Sequence, residues 1–268
     1  MRVRDAIYAA LICAPILSLA APALAGGLIR LTDRDDLFGW EAVGRLELEG
    51  KGYCTGSLIA PDLVLTAAHC VFDDAGAPIP PERISFRAGL RDGVFISQSG
   101  VAQVAAHPDY TPGPRVTSDM VRHDAALLKL SQAIPAAVAS PFVLAGAEAR
   151  QGLRVSVVSY GRGRDAALSW QRDCGVTGAG RGLLAFDCDV TFGSSGAPVF
   201  SRRQGQRARI VSLISSGGAD IAYGMTLPGI VADLKVALRA APRQQVASPR
   251  RVQVGQGGGA MGAKFQKP

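Results

Sequence analysis

The sequence predicts an all-β protein. Apolar runs of strand length recur along the body, turn residues such as Pro61-Asp62 separate them, and helical spacing is confined to one stretch near the end of the body. No internal repeat is evident.

Ahead of that body, residues 1–25 read as a secretory signal. Arg2 and Arg4 make a basic start, Ala6 to Ala20 is apolar, and Ala23-Leu24-Ala25 offers the small residues a signal peptidase needs. The apolar stretch is too short and too close to that cleavage pattern to favour a retained anchor. A mature chain from Gly26 is expected, exported to the periplasm or the medium. No later apolar run has membrane-spanning length, so no integral membrane segment is expected after signal removal.

The strands follow in order. Ala42 to Leu48 alternates after Trp40, and Thr55 to Ala60 runs into the Pro61-Asp62 turn. Leu63-Val64-Leu65-Thr66 is a short apolar strand, followed by Ile84 to Gly89 and Val101 to Ala106. Further on, Val155 to Gly161 and Ile210 to Ile214 continue the pattern, and Gly229 to Leu238 has helical spacing. From Ala241 the composition turns to Pro, Gln, Arg and Gly257-Gly258-Gly259. Such a segment buries too little apolar surface to offset its ordering entropy, so 241–268 is expected to be a disordered basic tail.

The formal charge of +7 sits mostly outside the body. Arg2, Arg4 and Asp5 leave +1 in the signal, and Arg243, Arg250, Arg251, Lys264 and Lys267 place +5 in the tail, so the body is near +1. A nucleic-acid-binding domain is therefore not expected; a basic arm could dock on an anionic partner, and a plain solvated tail is the simpler reading. Loss of the signal removes Cys13 and leaves four cysteines in an oxidising compartment, with three possible pairings. Free thiols or a metal site are the other readings. Neither Cys-x-x-Cys nor a cysteine–histidine cluster of ligand spacing is present, so no metal is expected.

Three segments carry chemistry: Thr66-Ala67-Ala68-His69-Cys70, His123-Asp124-Ala125-Ala126-Leu127-Leu128, and Gly193-Ser194-Ser195-Gly196-Ala197-Pro198. A serine hydroxyl is a poor nucleophile until a base takes its proton. An imidazole can take and return that proton, and a carboxylate can orient the imidazole. The nucleophile-elbow pattern G-x-S-x-G fails because Ala197 occupies its last place, and the order His69, Asp124, Ser195 is wrong for those hydrolases.

That order and those contexts resemble the trypsin-like (chymotrypsin-fold) serine proteases, over roughly Trp40 to Leu238. The resemblance implies two six-stranded antiparallel β-barrels, about 36–134 and 141–228, a C-terminal α-helix about 229–240, and an active site in the cleft between the barrels. His107-Pro108-Asp109-Tyr110 resembles the family's loop ahead of the catalytic carboxylate. The implied roles are base for His69, orienting carboxylate for Asp124 and nucleophile for Ser195, with the backbone N–H groups of Gly193 and Ser195 as oxyanion hole. No cofactor is implied, and the implied substrates are proteins or peptides. The resemblance also selects the bridge Cys54–Cys70, leaving Cys174–Cys188. Each closes a loop of about 15 residues and would contribute roughly 3 kcal/mol by restricting the unfolded chain.

The chain departs from the digestive members of that family. They carry an aspartate immediately before the nucleophile, which pairs with a new N-terminus after zymogen cleavage. Here that residue is Ser194, and no Ile-Val-Gly-Gly start is visible, so that switch is expected to be absent. The chain looks closer to bacterial, glutamyl-endopeptidase-like members. Asp189, six residues before Ser195, is the candidate pocket carboxylate for a basic substrate side chain; the competing reading has it cap a turn. Ile214-Ser215-Ser216-Gly217-Gly218 resembles the segment that pairs with substrate backbone as an added strand, with Ser216 where a tryptophan is usual. Gly217 would admit a side chain to the pocket. The alternatives carried forward are a non-catalytic protein that grips peptides or an envelope surface on the same fold, and an esterase-like hydrolase.

Overall fold

The computed structural model describes residues 27–146, 149–201, 206–218 and 220–240. The expected signal and tail lie outside them.

The first half closes into a barrel. Its strands are β2 (Val43–Leu48), β3 (Gly52–Ala60), β4 (Leu63–Thr66), β5 (Ile84–Ala88), β6 (Ser97–Ala106) and β7 (Ala126–Leu130), ordered β2-β3-β4-β7-β6-β5 and back to β2. Alternation drives β2: Leu46 and Leu48 face inward, while Arg45 and Glu47 face out and pair with each other. β4 runs Leu63-Val64-Leu65-Thr66, and its last three residues are buried, on both faces of the strand. Its register with β7 pairs Thr66 with Ala126, which sets the residues just after Thr66 and just before Ala126 at one end of the barrel.

The second half is an eight-stranded sheet. It contains β8 (Arg154–Gly161), β9 (Arg164–Gly180), β10 (Leu183–Phe186), β11 (Pro198–Ser201), β12 (Arg209–Leu213), β13 (Ser216–Gly217) and β14 (Ala222–Met225), with β1 (Ile29–Arg30) paired to β9. The path runs β12-β11-β8-β9-β10-β14-β13. Arg181 and Gly182, both at positive φ, make the two-residue turn from β9 to β10.

In place of the closed six-stranded barrel expected there, the eight strands form an open half-barrel sheet. β12 and β14 meet at a seam where the Ser212 hydroxyl donates to Met225 O at 2.7 Å and accepts from Met225 N–H at 3.1 Å. A Cβ on Gly224 would lie 2.1 Å from Leu213 O, so glycine lets the two strands approach.

The halves are joined by an aromatic cluster. Trp40 lies 5.1 Å from both Trp170 and Phe200, and Phe142 lies 4.6 Å from Phe200, ring centroid to centroid. Between them the short helix α1 (Ser118–His123) is capped by Thr117, whose hydroxyl accepts from Met120 N–H at 3.2 Å. The final helix α2 (Pro228–Ala240) buries Val231, Leu234 and Leu238 and returns to pack on β6 and β7. No described helix is long and apolar enough to cross a membrane. Both expected bridges are formed, Cys54–Cys70 and Cys174–Cys188.

Candidate active site

The end of β4 leads into a 3-10 turn, Ala68–Val71, that presents His69. Asp124 caps α1 just before β7 and is 3% exposed. Its carboxylate accepts from His69 N–H at 2.8 Å and from His69 Nδ1–H at 2.8 Å. Ser215 Oγ donates to the same carboxylate at 2.6 Å. With the Nδ1 proton committed to Asp124, the lone pair of the neutral ring is on Nε2.

Ser195 arrives from the other half. Gly196 N–H donates to Ile214 O and Ile214 N–H to Ala197 O, which sets the Ser195 turn beside the start of the 214–218 segment. A Cβ on Gly196 would lie 2.2 Å from Thr66 Oγ1 and 2.4 Å from Thr55 O, so glycine lets this turn seat against the first barrel. Thr55 on β3 fastens it there. Its N–H donates to Ser195 O at 2.9 Å, its hydroxyl donates to Gly193 O at 2.8 Å, and that hydroxyl also accepts from Tyr160 N–H at 3.0 Å.

One cleft of about 1010 Å³ is lined by His69, Asp124, Asp189, Gly193, Ser195 and the residues from Ile214 to Gly218. Among the described residues no hydrogen bond links Ser195 Oγ to His69, whose Nε2 lies 3.8 Å from Cys70 Sγ. Gly193, at φ 89°, and Ser195 both have backbone N–H groups without an intramolecular acceptor among the described residues.

The specificity candidates separate. The Asp187 carboxylate accepts from Gly175 N–H on β9. Asp189 lies on the cleft wall, donates its N–H to Gln171 Oε1 at 2.7 Å, and accepts from Arg164 at its carbonyl. Ser215 is turned to Asp124, while Ser216 and Gly217 form β13. A Cβ on Gly217 would lie 2.5 Å from Ile221 O and 3.1 Å from Val190, so glycine also serves the packing of β13 on β14.

Several contributors carry no motif. Lys51 Nζ donates to His69 O at 2.6 Å and Phe72 O at 2.5 Å, bracing the histidine turn. Burial pulls its pKa down, with Asp74, Asp124 and Asp73 opposing. Phe192, 70% exposed at the cleft, carries the Arg162 guanidinium 4.1 Å from its ring centroid.

Among the described residues three groups have metal-ligand chemistry. In two of them the cysteines are tied in disulfides. In the third, His107, Asp109 and His123, the Asp109 N–H donates to His107 Nδ1 at 3.2 Å. The His107 proton therefore sits on Nε2, which faces the Asp233 carboxylate at 3.6 Å without a hydrogen-bond partner.

The chain matches the trypsin-like peptidase domain over residues 54–207, a stretch containing His69, Asp124 and Ser195. It belongs to the trypsin-like peptidase family. It is 38% identical over 108 residues to a vitellin-degrading protease of Bombyx mori, covering 37% of this chain and 38% of that protein. It is 30% identical over 172 residues to serine protease SP24D of Anopheles gambiae, covering 56% of this chain and 59% of that protein. The chain thus spans less than two thirds of either relative. A solved Glu endopeptidase shares the fold at a TM-score of 0.63 and 20% identity, over 80% of this chain and 97% of that one.

Proposed function

We propose that this chain is an exported serine endopeptidase that cleaves peptide bonds through His69, Asp124 and Ser195 and an acyl-enzyme intermediate. The observation that carries the reading is the buried Asp124 carboxylate holding both the backbone N–H and the Nδ1–H of His69, in the cleft that Ser195 lines.

His69 Nε2 takes the Ser195 proton as Oγ attacks the substrate carbonyl. The charge that develops on the carbonyl oxygen is met by the Gly193 and Ser195 N–H groups, which are already oriented and so need no reorganisation. His69 then gives its proton to the leaving amine, and water hydrolyses the acyl-enzyme by the same steps in reverse. Extended substrate pairs along Ser216-Gly217.

Asp189 on the cleft wall supports a basic side chain at the cut, and the nearby positive charge of Arg164 works against it. Two disulfides support export.

The test is to incubate the chain from Gly26, and its Ser195→Ala variant, with a diverse peptide pool and map new ends by mass spectrometry. New ends dependent on Ser195 are expected. Their clustering after Arg and Lys assigns Asp189 to the pocket. Peptide binding without cleavage favours the non-catalytic reading, and ester turnover without peptide cleavage favours the esterase.

A further inference from the structure

Ser194, beside the nucleophile, is fully buried. A buried hydroxyl is costly unless hydrogen-bonded, so its partners reveal what the turn leans on. Ser194 Oγ lies 3.1 Å from Ser159 Oγ and accepts from Thr191 N–H at 3.4 Å. Ser159 Oγ in turn accepts from Arg164 Nη1 at 3.3 Å, and Arg164 Nη2 donates to Asp189 O at 3.4 Å. The guanidinium therefore reaches the loop from 189 to 195 at both ends, directly at Asp189 and through two hydroxyls at Ser194.

The position of that guanidinium is built into the hairpin. Gly161 pairs with Arg164 across the β8–β9 turn, and a Cβ at 161 would lie 2.7 Å from Arg164 Cζ and 2.9 Å from Thr191 Cγ2. Any side chain at 161 would push the guanidinium off the loop. The same hairpin holds the loop elsewhere. Arg162 N–H donates to Phe192 O at 2.8 Å, and Tyr160 O lies 2.9 Å from where a Gly193 Cβ would stand. Residues 159 to 164 thus meet the loop at 189, 191, 192, 193 and 194.

We propose that Arg164 is a positioning residue for the oxyanion turn: through Ser159 and Ser194, the β8–β9 hairpin holds the Gly193 and Ser195 N–H groups in their reactive arrangement. In the digestive pattern a new N-terminus supplies the cation that sets this turn. Here the cation comes from within the fold, so the turn is set on folding and needs no cut at the N-terminus. The proposal rests on the proteolytic reading above.

Arg164→Met, Arg164→Lys and Ser159→Ala, compared with the chain from Gly26, test it in two ways. The first is turnover on peptides that differ at the cut residue. Arg164→Met lowers kcat by about 10²-fold, the size of a lost oxyanion donor, equally for every cut residue and with KM nearly unchanged. Arg164→Lys recovers part of the loss, and an N-terminal extension ahead of Gly26 leaves kcat intact. The second is hydrogen exchange, where amides 191–195 exchange faster in Arg164→Met. Ser159→Ala keeps the guanidinium and shifts both readouts in the same direction by less, which keeps the test open if Arg164→Met does not fold.

Unchanged kcat with unchanged exchange overturns the proposal. So does a loss confined to one class of cut residue, which would make Arg164 a pocket residue, or inactivation by the extension. If the unaltered chain shows no turnover dependent on Ser195, the proteolytic reading fails, and exchange alone decides the clamp: faster exchange sustains it and equal exchange overturns it.

Discussion

Asp124 concentrates the chemistry of the site at one carboxylate. It fixes the imidazole tautomer through Nδ1–H, locks the backbone of the same residue through its N–H, and is itself held by Ser215. Asp124→Asn offers an amide that can present N–H toward Nδ1, which shifts the proton to Nε2 and removes the base. A fall in kcat on the order of 10⁴-fold is expected with little change in stability, read from steady-state kinetics beside a thermal melt. A variant within tenfold of the original would contradict the assigned role. His69, Asp124 and Ser195, the triad proposed above, stand out in the sequence because that chemistry dictates residue type. Thr55, Lys51 and Arg164 do not, because they act on backbone atoms or through another hydroxyl, and Thr55 reaches Gly193 across a separation of 138 residues. Nothing local in the chain marks such a partner.

At the scale of elements, the strands that hold the site were the most readable. Leu63–Thr66 was predicted with its observed ends because a continuous apolar run bounded by Pro61-Asp62 suits a strand buried on both sides. β9 was missed. It runs 17 residues, exposes Arg172 and Asp173 midway, and carries three glycines near its end, so no period of two persists. α1 is a six-residue helix fixed by a cap, too short to show periodicity. The Cys54–Cys70 bridge joins β3 to the turn that bears His69, and it closes a separation of 16 residues. Replacing both cysteines with alanine is expected to lower stability by roughly 3 kcal/mol in denaturant melts and to lower kcat as the His69 turn loosens. Retention of both stability and kcat would show that Lys51 and Asp124 hold the turn without the bridge.

For the whole molecule, α2 packs on the first barrel at β6 and β7, and His107 sits at that contact. It is 4% exposed, stacked on the His123 ring at 4.9 Å, beside Asp109 and facing Asp233 on the helix. Burial and the neighbouring His123 hold its pKa below the ordinary imidazole value, while Asp109 and Asp233 oppose them. Unfolding lets His107 take up a proton near its ordinary value, so the unfolded chain binds more protons than the folded one. Stability is therefore unaffected by this group above about pH 6.5 and falls as pH drops below it. His107→Gln is expected to flatten that decline in melts between pH 5 and 7, roughly the window in which a histidine titrates. An unchanged slope would assign the acid sensitivity elsewhere.

The central claim is that the fold brings His69 and Ser195 together as base and nucleophile. A fluorophosphonate probe reads this directly, since it reacts with a serine that a base has activated. Peptide mapping of the labelled chain is expected to find the adduct on Ser195, with labelling lost in His69→Ala while the fold is retained. An adduct on a different serine, or equal labelling of Ser195 without His69, would contradict it.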